Sequence, residues 1–148
     1  MTSAHQAPVD HRRSIVKPEV TSAIEDAFLW SLEERFWTSG LDSARATTAQ
    51  NAVMIFPFPP GILQGEQVWD HLQRNTGWRS VVMTDRNTTL RGIIAMLAYR
   101  VSAEKAGVPI YEALCASTYL QDEDNWLRIS HQQTPVIPTE LLTKFVWS

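Results

Sequence analysis

The chain has very little cysteine, and its 148 residues contain a single one, Cys115. One cysteine cannot form a disulfide within the chain, and it cannot build a cysteine-based zinc site. This scarcity is typical of proteins kept in a reducing compartment, so we expect a cytoplasmic protein. We predict no metal site and no other cofactor.

Blocks of basic residues are absent as well. Lys and Arg number 13 against 16 Asp and Glu, which gives a formal net charge of -3. Nucleic-acid-binding domains usually concentrate positive charge, so this balance argues against a nucleic-acid partner. No apolar run approaches the roughly 18 residues of a membrane helix, and residues 1–17 lack the apolar core of a signal peptide. We therefore expect a soluble protein with no membrane partner.

The apolar content is sufficient for one core. Hydrophobic residues make up 44% of the chain, and its length is that of one ordinary domain. Residues 1–17 are polar and contain a proline, which predicts a flexible N-terminal tail. Residues 18–148 are predicted to form a single domain.

Helical patterns fill the first half of the sequence. Pro18 suits a first helical position, and apolar residues recur at helical spacing from there until Ser39. Two shorter helices are predicted at residues 42–49 and 65–76, the first capped by Asp42. The stripe that we assign to the buried face of the long helix consists of Val20, Ile24, Ala27, Phe28, Leu32, Arg35 and Phe36.

Strand patterns fill the second half. An apolar run at residues 52–58 ends in prolines and predicts one strand. Turn-prone residues at 85–87, 106–107 and 122–125 then separate four further segments, residues 79–84, 90–104, 110–120 and 126–136. Helices followed by a strand meander favour an α+β domain whose antiparallel sheet is covered by helices on one face.

Alternation along the strands assigns side chains to the two faces of the sheet. The predicted inward set is Leu97, Tyr99, Val101, Tyr111, Ala113, Cys115, Ser117, Tyr119, Leu127, Ile129, His131 and Gln133. The predicted outward set of the last strand is Trp126, Arg128, Ser130, Gln132 and Thr134. Trp30, Trp37, Trp69 and Trp78 are predicted to be core or cavity wall. A single bulge would exchange the faces of a strand.

Polar side chains on an inward face indicate a lined cavity. No aspartate or glutamate falls on the predicted inward faces, because Glu112 lies opposite, Asp85 lies in a turn, and Glu66 and Asp70 lie off the apolar stripe of their helix. Two interpretations of His131 remain open: a buried neutral imidazole with hydrogen-bonded partners, or a group that transfers protons or anchors a ligand.

The order of the elements resembles the nuclear transport factor 2-like superfamily, which includes SnoaL-like and ketosteroid isomerase-like domains. The segments that carry the resemblance are FWTSG, AVMIFPFPPGILQG, IIAMLAYRVSA, YEALCASTYL and WLRISHQQTPV, within about Glu19 to Ile137. The resemblance implies a cystatin-like α+β cone. In that fold a strongly bent antiparallel sheet wraps around a long N-terminal helix, two further short helices complete the domain, and a pocket opens between sheet and helices.

The resemblance also implies partners and chemistry. Subunits of the family commonly pair through the outer face of the sheet, so we expect a homodimer. Its isomerases use a cavity carboxylate as the base, with a tyrosine and a protonated acid as oxyanion donors. Because no inward carboxylate is predicted here, the sequence does not favour that mechanism.

Two hypotheses for the function follow. The first is a small-molecule-binding domain for an apolar or aromatic ligand, with Tyr99, Tyr119, Gln133, Trp37, Trp78, Cys115 and Ser117 as ligand-binding residues. The second is an isomerase, dehydratase or cyclase in which His131 is the general acid/base and Tyr99 or Tyr119 the oxyanion donor. A module of a larger assembly ranks third.

Overall fold

The structure of the protein is a computed structural model that describes residues 18–75 and 77–137. The predicted tail at residues 1–17 lies outside the described residues. The assignment of residues 18–148 to a single domain stays a prediction. No helix in the described part of the chain is both long and apolar enough to cross a membrane.

The described residues form three helices, as predicted: α1 (Pro18–Thr38), α2 (Gly40–Ala46) and α3 (Glu66–Arg74). α2 begins and ends earlier than predicted, because Asp42 lies in its first turn and the chain has already entered a strand at Thr48. The preceding Ser39 occupies the capping position without a side-chain hydrogen bond.

Six strands within residues 18–75 and 77–137 form one sheet in the order β2-β1-β6-β5-β4-β3. Their bounds are β1 (Thr48–Ile55), β2 (Ile62–Gln64), β3 (Ser80–Arg91), β4 (Ile94–Glu104), β5 (Tyr111–Asp122) and β6 (Asn125–Pro135). The predicted antiparallel meander from β3 to β6 is confirmed. The sheet is not wholly antiparallel, however, since β1 pairs with β6 in parallel.

The predicted turn at residues 85–87 is wrong, because these residues lie within β3. Between Thr84 and Asn87 the pairing with β4 shifts by one residue, and Asp85 has a φ of 53°. Such a bulge takes up turn-forming residues without ending the strand, and it bends the sheet. The α+β class and the strongly curved, cone-like sheet agree with the prediction.

β6 contains a second bulge. Thr118 of β5 pairs with Ser130, whereas the next residue, Tyr119, pairs with Arg128, so Ile129 is an extra residue in β6. Side chains that alternate regularly on either side of this point are therefore one position out of phase with each other.

The bulge overturns part of the predicted face assignment. Trp126 and Arg128 were predicted to face outward, but they are only 5% and 0% exposed. Leu127 and Ile129 were predicted to face inward with His131, but they are only half-buried. His131 is buried and Gln133 is half-buried, as the inward prediction requires. The predicted inward residues of β4 and β5 are also buried, apart from Tyr111, which is half-buried.

The predicted buried stripe of α1 is only partly correct. Ile24 and Phe28 are 65% and 47% exposed. Two tryptophan indoles fix the helix rotation instead: Trp30 Nε1 donates to Thr88 Oγ1 at 3.1 Å, and Trp37 Nε1 donates to Tyr99 Oη at 2.9 Å. The face that they bring against the sheet consists of Leu29, Trp30, Leu32, Glu33, Phe36 and Trp37, all buried.

Candidate functional site

A fully buried ion pair joins α1 to β6. Glu33 Oε1 lies 3.4 Å from Nη2 of Arg128, and both side chains are 0% exposed. Two charges are tolerated in an interior only when they pair and their remaining hydrogen-bonding groups are satisfied. The expectation that no carboxylate points inward is therefore wrong.

Neutral hydroxyls complete the environment of Glu33. Tyr119 Oη donates to Oε1, and Tyr99 Oη and Ser117 Oγ donate to Oε2, each at 2.5 Å. Burial alone would raise the pKa of this carboxyl, but the charge of Arg128 and the hydrogen bonds from His131 and Ser117 outweigh it and hold the pKa well below its ordinary value. Glu33 is thus an anion whose lone pairs are occupied.

Arg128 is equally well satisfied. Nη1 donates to Thr48 Oγ1 at 2.8 Å, and Nη2 donates to Tyr119 Oη at 2.5 Å and to the carbonyl of Leu32 at 3.3 Å. The guanidinium carbon also lies 4.2 Å from the ring centroid of Phe36, a cation–π contact. The pair therefore adds no net charge to the interior.

Burial keeps the neighbouring acids of the interior neutral. It raises the pKa of Tyr99 and Tyr119 well above that of a free phenol, and the Glu33 charge adds to the effect. It also raises the pKa of the Cys115 thiol to about 12. Cys115 is therefore a buried apolar group rather than a nucleophile, since the thiolate is the reactive form.

His131 connects this cluster to Gln133. Its Nδ1 lies 2.7 Å from Ser117 Oγ and 3.4 Å from Glu33 Oε2, and its Nε2 lies 3.1 Å from Gln133 Nε2. Ser117 already donates its proton to Glu33, so it accepts from Nδ1–H, and the Gln133 amide donates to Nε2. The hydrogen-bond network thus assigns a neutral imidazole, and burial lowers the pKa of His131 in agreement.

Ser117, His131 and Glu33 are the residue types of a hydrolytic triad, but their geometry differs from one. In a triad the serine and the carboxylate bind opposite nitrogens of the imidazole. Here both lie on Nδ1, and the serine proton goes to the carboxylate. This arrangement does not activate Ser117, which is also 0% exposed.

A cavity of about 250 Å³ lies beside the cluster, between the helices and the sheet. This volume is just below the range of roughly 300–1,000 Å³ that is typical of small-molecule pockets. Its described lining contains no Asp or Glu, and consists of Phe36, Trp37, Gly40, Ala44, Phe56, Pro57, Pro59, Pro60, His71, Leu72, Asn75, Gly77, Trp78, Lys105, Tyr111 and Gln133.

The predicted site residues divide between the cavity and the cluster. Trp37, Trp78 and Gln133 line the cavity. Tyr99, Tyr119, Ser117 and Cys115 lie in the interior behind it, as does the catalytic candidate, His131. Gln133 joins the two regions, because its Nε2 binds His131 and its Oε1 accepts from Tyr111 Oη at 3.0 Å.

Stacked rings form the wall next to Gln133. The ring of Tyr111 stacks on Trp78 at 5.6 Å and 14°, and Lys105 Nζ lies 4.4 Å from the Trp78 ring centroid. Gly77 lets this segment approach α1 closely, since a Cβ there would lie 3.1 Å from the Trp37 carbonyl oxygen. The amide of Trp78 donates to that same oxygen at 2.8 Å.

α3 supplies a histidine to another part of the cavity wall. The ring of His71 lies 4.3 Å from that of Phe56, and its Nδ1 lies 3.3 Å from Asn75 Nδ2. Burial, followed by the charge of Arg74, lowers the pKa of His71. His71 is therefore neutral at pH 7, and if Asn75 donates to Nδ1 its proton is on Nε2.

Helical spacing in the sequence could have identified Glu33, one of the site residues that were not predicted. Glu33 lies four residues after Leu29 and three before Phe36, so helical spacing places it on their face. Lys105 and His71 had no such signal, because a loop and a short helix bring them to the cavity. Within the described chain, no three His, Cys, Asp or Glu side chains form a metal-binding group.

Sequence comparison identifies no relatives: neither a protein-family model nor a curated protein matches the chain. Comparison with solved structures, in contrast, finds proteins of similar fold. The fold is similar to a candidate ketosteroid isomerase from Parabacteroides distasonis, at a TM-score of 0.65 and 17% identity over 74% of this chain and 86% of that one.

Two further solved structures are similar. A candidate dehydratase of the NTF2-like family from Streptomyces avermitilis has a TM-score of 0.61 and 15% identity over 81% of this chain and 99% of that one. The association domain of CaMKII from C. elegans has a TM-score of 0.61 and 10% identity over 78% and 96%. Identities this low establish the fold alone, and the chain has the nuclear transport factor 2-like fold that its sequence predicted.

Proposed function

We propose that this protein is a small-molecule-binding domain whose ligand is an apolar or aromatic molecule held between the helices and the sheet. The cavity wall is the observation that carries the proposal. Aromatic rings from α1, the β1–β2 loop and the segment before β3 surround a space with few polar groups, the usual composition of a small-molecule site. Such rings bind apolar ligands without losing much conformational freedom.

The neutral fluorescent probe N-phenyl-1-naphthylamine tests this proposal. We expect its emission to rise on binding, and Leu72→Trp, which fills the cavity, to weaken binding about tenfold or more, the effect of losing well over 1 kcal/mol of apolar contact. Ile24→Trp is the matched control, because Ile24 is 65% exposed on α1 and lies outside the cavity lining. Equal binding to both variants would contradict the proposal, provided that thermal melts show both folded.

An enzyme of the isomerase, dehydratase or cyclase kind is the second candidate. Two of the similar structures are described as a candidate ketosteroid isomerase and a candidate dehydratase, and Gln133, which lines the cavity, binds His131 Nε2 at 3.1 Å. Movement of the Gln133 amide away from His131 would free Nε2 to accept a proton from a ligand. Against this candidate, the Glu33 carboxylate is fully paired and does not line the cavity.

Self-association is the proposed partnership. One similar structure is an association domain, and the outer face of the sheet carries the exposed apolar side chains Val82, Met96 and Leu114. Exposed apolar side chains on a sheet face favour pairing with a second copy of the chain. Trp126 and Arg128 do not take part in this surface, since both are buried on the inner face.

A further inference from the structure

We infer that residues 138–148 cover the open side of the cavity and form the remaining wall of the ligand site. This inference rests on the proposed function, because it adds residues to the same binding site. The sequence of this stretch, the 138–148 segment, is PTELLTKFVWS, and it lies outside the described residues.

The described chain ends beside the cavity wall. The amide of Val136 donates to the carbonyl of Glu112 at 2.9 Å, so the two chains remain paired just past the end of β6. The same antiparallel register places Ile137 opposite Tyr111, and Tyr111 lines the cavity. The 138–148 segment therefore begins directly after a residue that borders the cavity wall.

The strand on the other side of β6 leads to the same place. β1 runs parallel to β6 and pairs Ile55 with Gln132. The next residues of the two strands, Phe56 and Gln133, both line the cavity, and Pro57 continues the wall into the β1–β2 loop. Because β6 lies between β1 and β5, its last described residues leave the sheet between two parts of the cavity wall.

A proline ends the strand pairing at this point. Every second residue of an antiparallel strand donates to the same neighbour, so the donor after Val136 would be residue 138. Pro138 has no N–H and cannot make that hydrogen bond. We therefore expect the chain to turn away from the sheet here, next to the cavity, rather than to lengthen β6.

The cavity wall formed by the described residues is incomplete. The cavity is partly open to solvent, so these residues do not enclose a ligand on all sides. Small-molecule sites usually bury roughly 70–90% of the surface of a drug-sized ligand. The cavity is also slightly smaller than such sites usually are. A further wall would raise both the enclosed volume and the buried fraction of the ligand.

The 138–148 segment has a composition that suits this wall. Its large apolar residues are Leu141, Leu142, Phe145, Val146 and Trp147. Side chains of this kind gain free energy when they are covered. Fully extended, the segment would span roughly 35 Å, several times the width of a cavity of this volume. It is therefore long enough to bring these side chains across the opening.

Two variants test the inference by their binding of N-phenyl-1-naphthylamine. One is a chain that ends at Ile137, and the other is the full chain with Leu141→Ser, Leu142→Ser and Phe145→Ser. Both should bind the probe about tenfold more weakly than wild type, because each loses apolar contact with the ligand. Thr139→Ser with Thr143→Ser is the matched control. It changes the same segment without removing a large apolar side chain, so it should bind as wild type does.

Trypsin cleavage of the wild-type protein provides a second readout that needs no substitution. Lys144 is the only lysine or arginine in the 138–148 segment. At a probe concentration about ten times Kd, cleavage after Lys144 should slow about tenfold, because the segment opens only when the ligand leaves. Cleavage after Arg12 and Arg13 is the control and should not change. Mass spectrometry of the fragments measures both rates.

Thermal melts establish whether the two variants are folded, and where either fails to fold, the cleavage rate at Lys144 decides. Unchanged probe affinity in folded variants, or unchanged cleavage at Lys144, would overturn the inference and leave the proposed function standing. Tighter binding by the shortened chain, or faster cleavage in the presence of the probe, would also overturn it, since the segment would then compete with the ligand. If the probe does not bind wild type, the proposed function and this inference are both rejected.

Discussion

At the scale of single residues, Glu33 and Arg128 are the energetically critical pair. Each is fully buried, and each has its charge offset by the other. Removal of one member of such a pair leaves an uncompensated charge in a medium that solvates it poorly, whereas replacement of both by apolar groups is often neutral. The pair is therefore expected to respond very differently to single and double substitution.

The first prediction concerns Glu33→Gln. The substitution keeps the shape of the side chain but leaves the Arg128 guanidinium unpaired, and should lower the free energy of unfolding by about 3 to 5 kcal/mol. Chemical denaturation at pH 7 measures the loss. Glu34→Gln is the matched control, since Glu34 is exposed on the same helix and should change stability by no more than about 0.5 kcal/mol.

A double variant checks the cause of that loss. Glu33→Gln combined with Arg128→Met removes both charges, so it should be more stable than Glu33→Gln alone. A double variant that loses the sum of the two single effects would show that the charges are not coupled.

The second prediction concerns His131 and pH. Because burial holds the pKa of His131 below 6.5, protonation favours the unfolded state, and stability that is complete above pH 6.5 is lost as the pH falls below it. The loss is at most about 1.4 kcal/mol per pH unit for one proton. In His131→Gln this dependence between pH 7 and 5 should largely disappear, and stability at pH 7 should fall by about 1 to 3 kcal/mol through the disturbed hydrogen bonds.

Melting temperatures across this pH range provide the measurement. His71→Gln is the control, because His71 is only half-buried and its removal should flatten the profile less. Binding of N-phenyl-1-naphthylamine to His131→Gln separates the two roles of His131. A loss of stability with unchanged affinity identifies a structural residue. Near-native stability with at least tenfold weaker binding, on the order of 1.4 kcal/mol, identifies a residue that anchors the ligand.

At the scale of elements, alternation predicted the inward residues of β4 and β5 correctly because those strands pair without interruption. It failed in the first part of β6, because the extra residue Ile129 shifts the alternation of side chains between the two faces of the sheet. No local feature of the sequence marks that position, since a bulge is set by how two strands pair across the sheet. The bulge also determines that both Arg128 and His131 face the interior.

Deletions in β6 provide the third prediction. Removing Ile129 leaves the pairing of Arg128 with Tyr119 and of Ser130 with Thr118 possible in a regular strand, so the protein should still fold cooperatively with moderate loss of stability. Removing Leu127 instead should turn Trp126 to the outer face and prevent folding. Near-ultraviolet circular dichroism during thermal melts distinguishes the two, and equal damage would contradict this role for the bulge.

The helix α1 shows why the cluster could not be predicted. Helical spacing places Glu33 beside Leu29 and Phe36, but a lone carboxylate is expensive to bury, and Glu33 was not part of the predicted buried stripe. The cost of burying a charge also argued against an inward Arg128, which was assigned to the outer face of the sheet. Each residue is acceptable inside only because of the other, and this pairing depends on a contact between α1 and β6 that no local pattern contains.

At the scale of the whole molecule, helices cover the inner face of the sheet and leave apolar residues on its outer face. Val82, Met96 and Leu114 are 61%, 48% and 51% exposed. Their partners across neighbouring strands are polar or charged: Ser102 for Val82, Thr118 for Met96, and Arg100 and Thr134 for Leu114. A mixed surface of this kind suits a subunit interface that also tolerates water at its rim.

The fourth prediction is that this surface joins two copies of the chain. Sedimentation at micromolar concentration should give a dimer, and Leu114→Arg should shift it to a monomer by placing a charge in the interface. Ile24→Arg is the matched control, because Ile24 is 65% exposed on α1 rather than on the sheet. A wild-type protein that stays monomeric as its concentration rises would rule out this interface.

The ion pair has a consequence for biosynthesis. Glu33 and Arg128 are 95 residues apart in the sequence. The ribosome therefore completes α1 long before it makes β6, whose Arg128 offsets the charge of Glu33. At a synthesis rate of roughly 5–20 residues per second, on the order of 5–20 s pass between the synthesis of Glu33 and that of Arg128. During that interval α1 gains little by entering the interior. We therefore expect the nascent chain to remain open until β6 emerges, and the helix to dock and the last strand to join the sheet as one event.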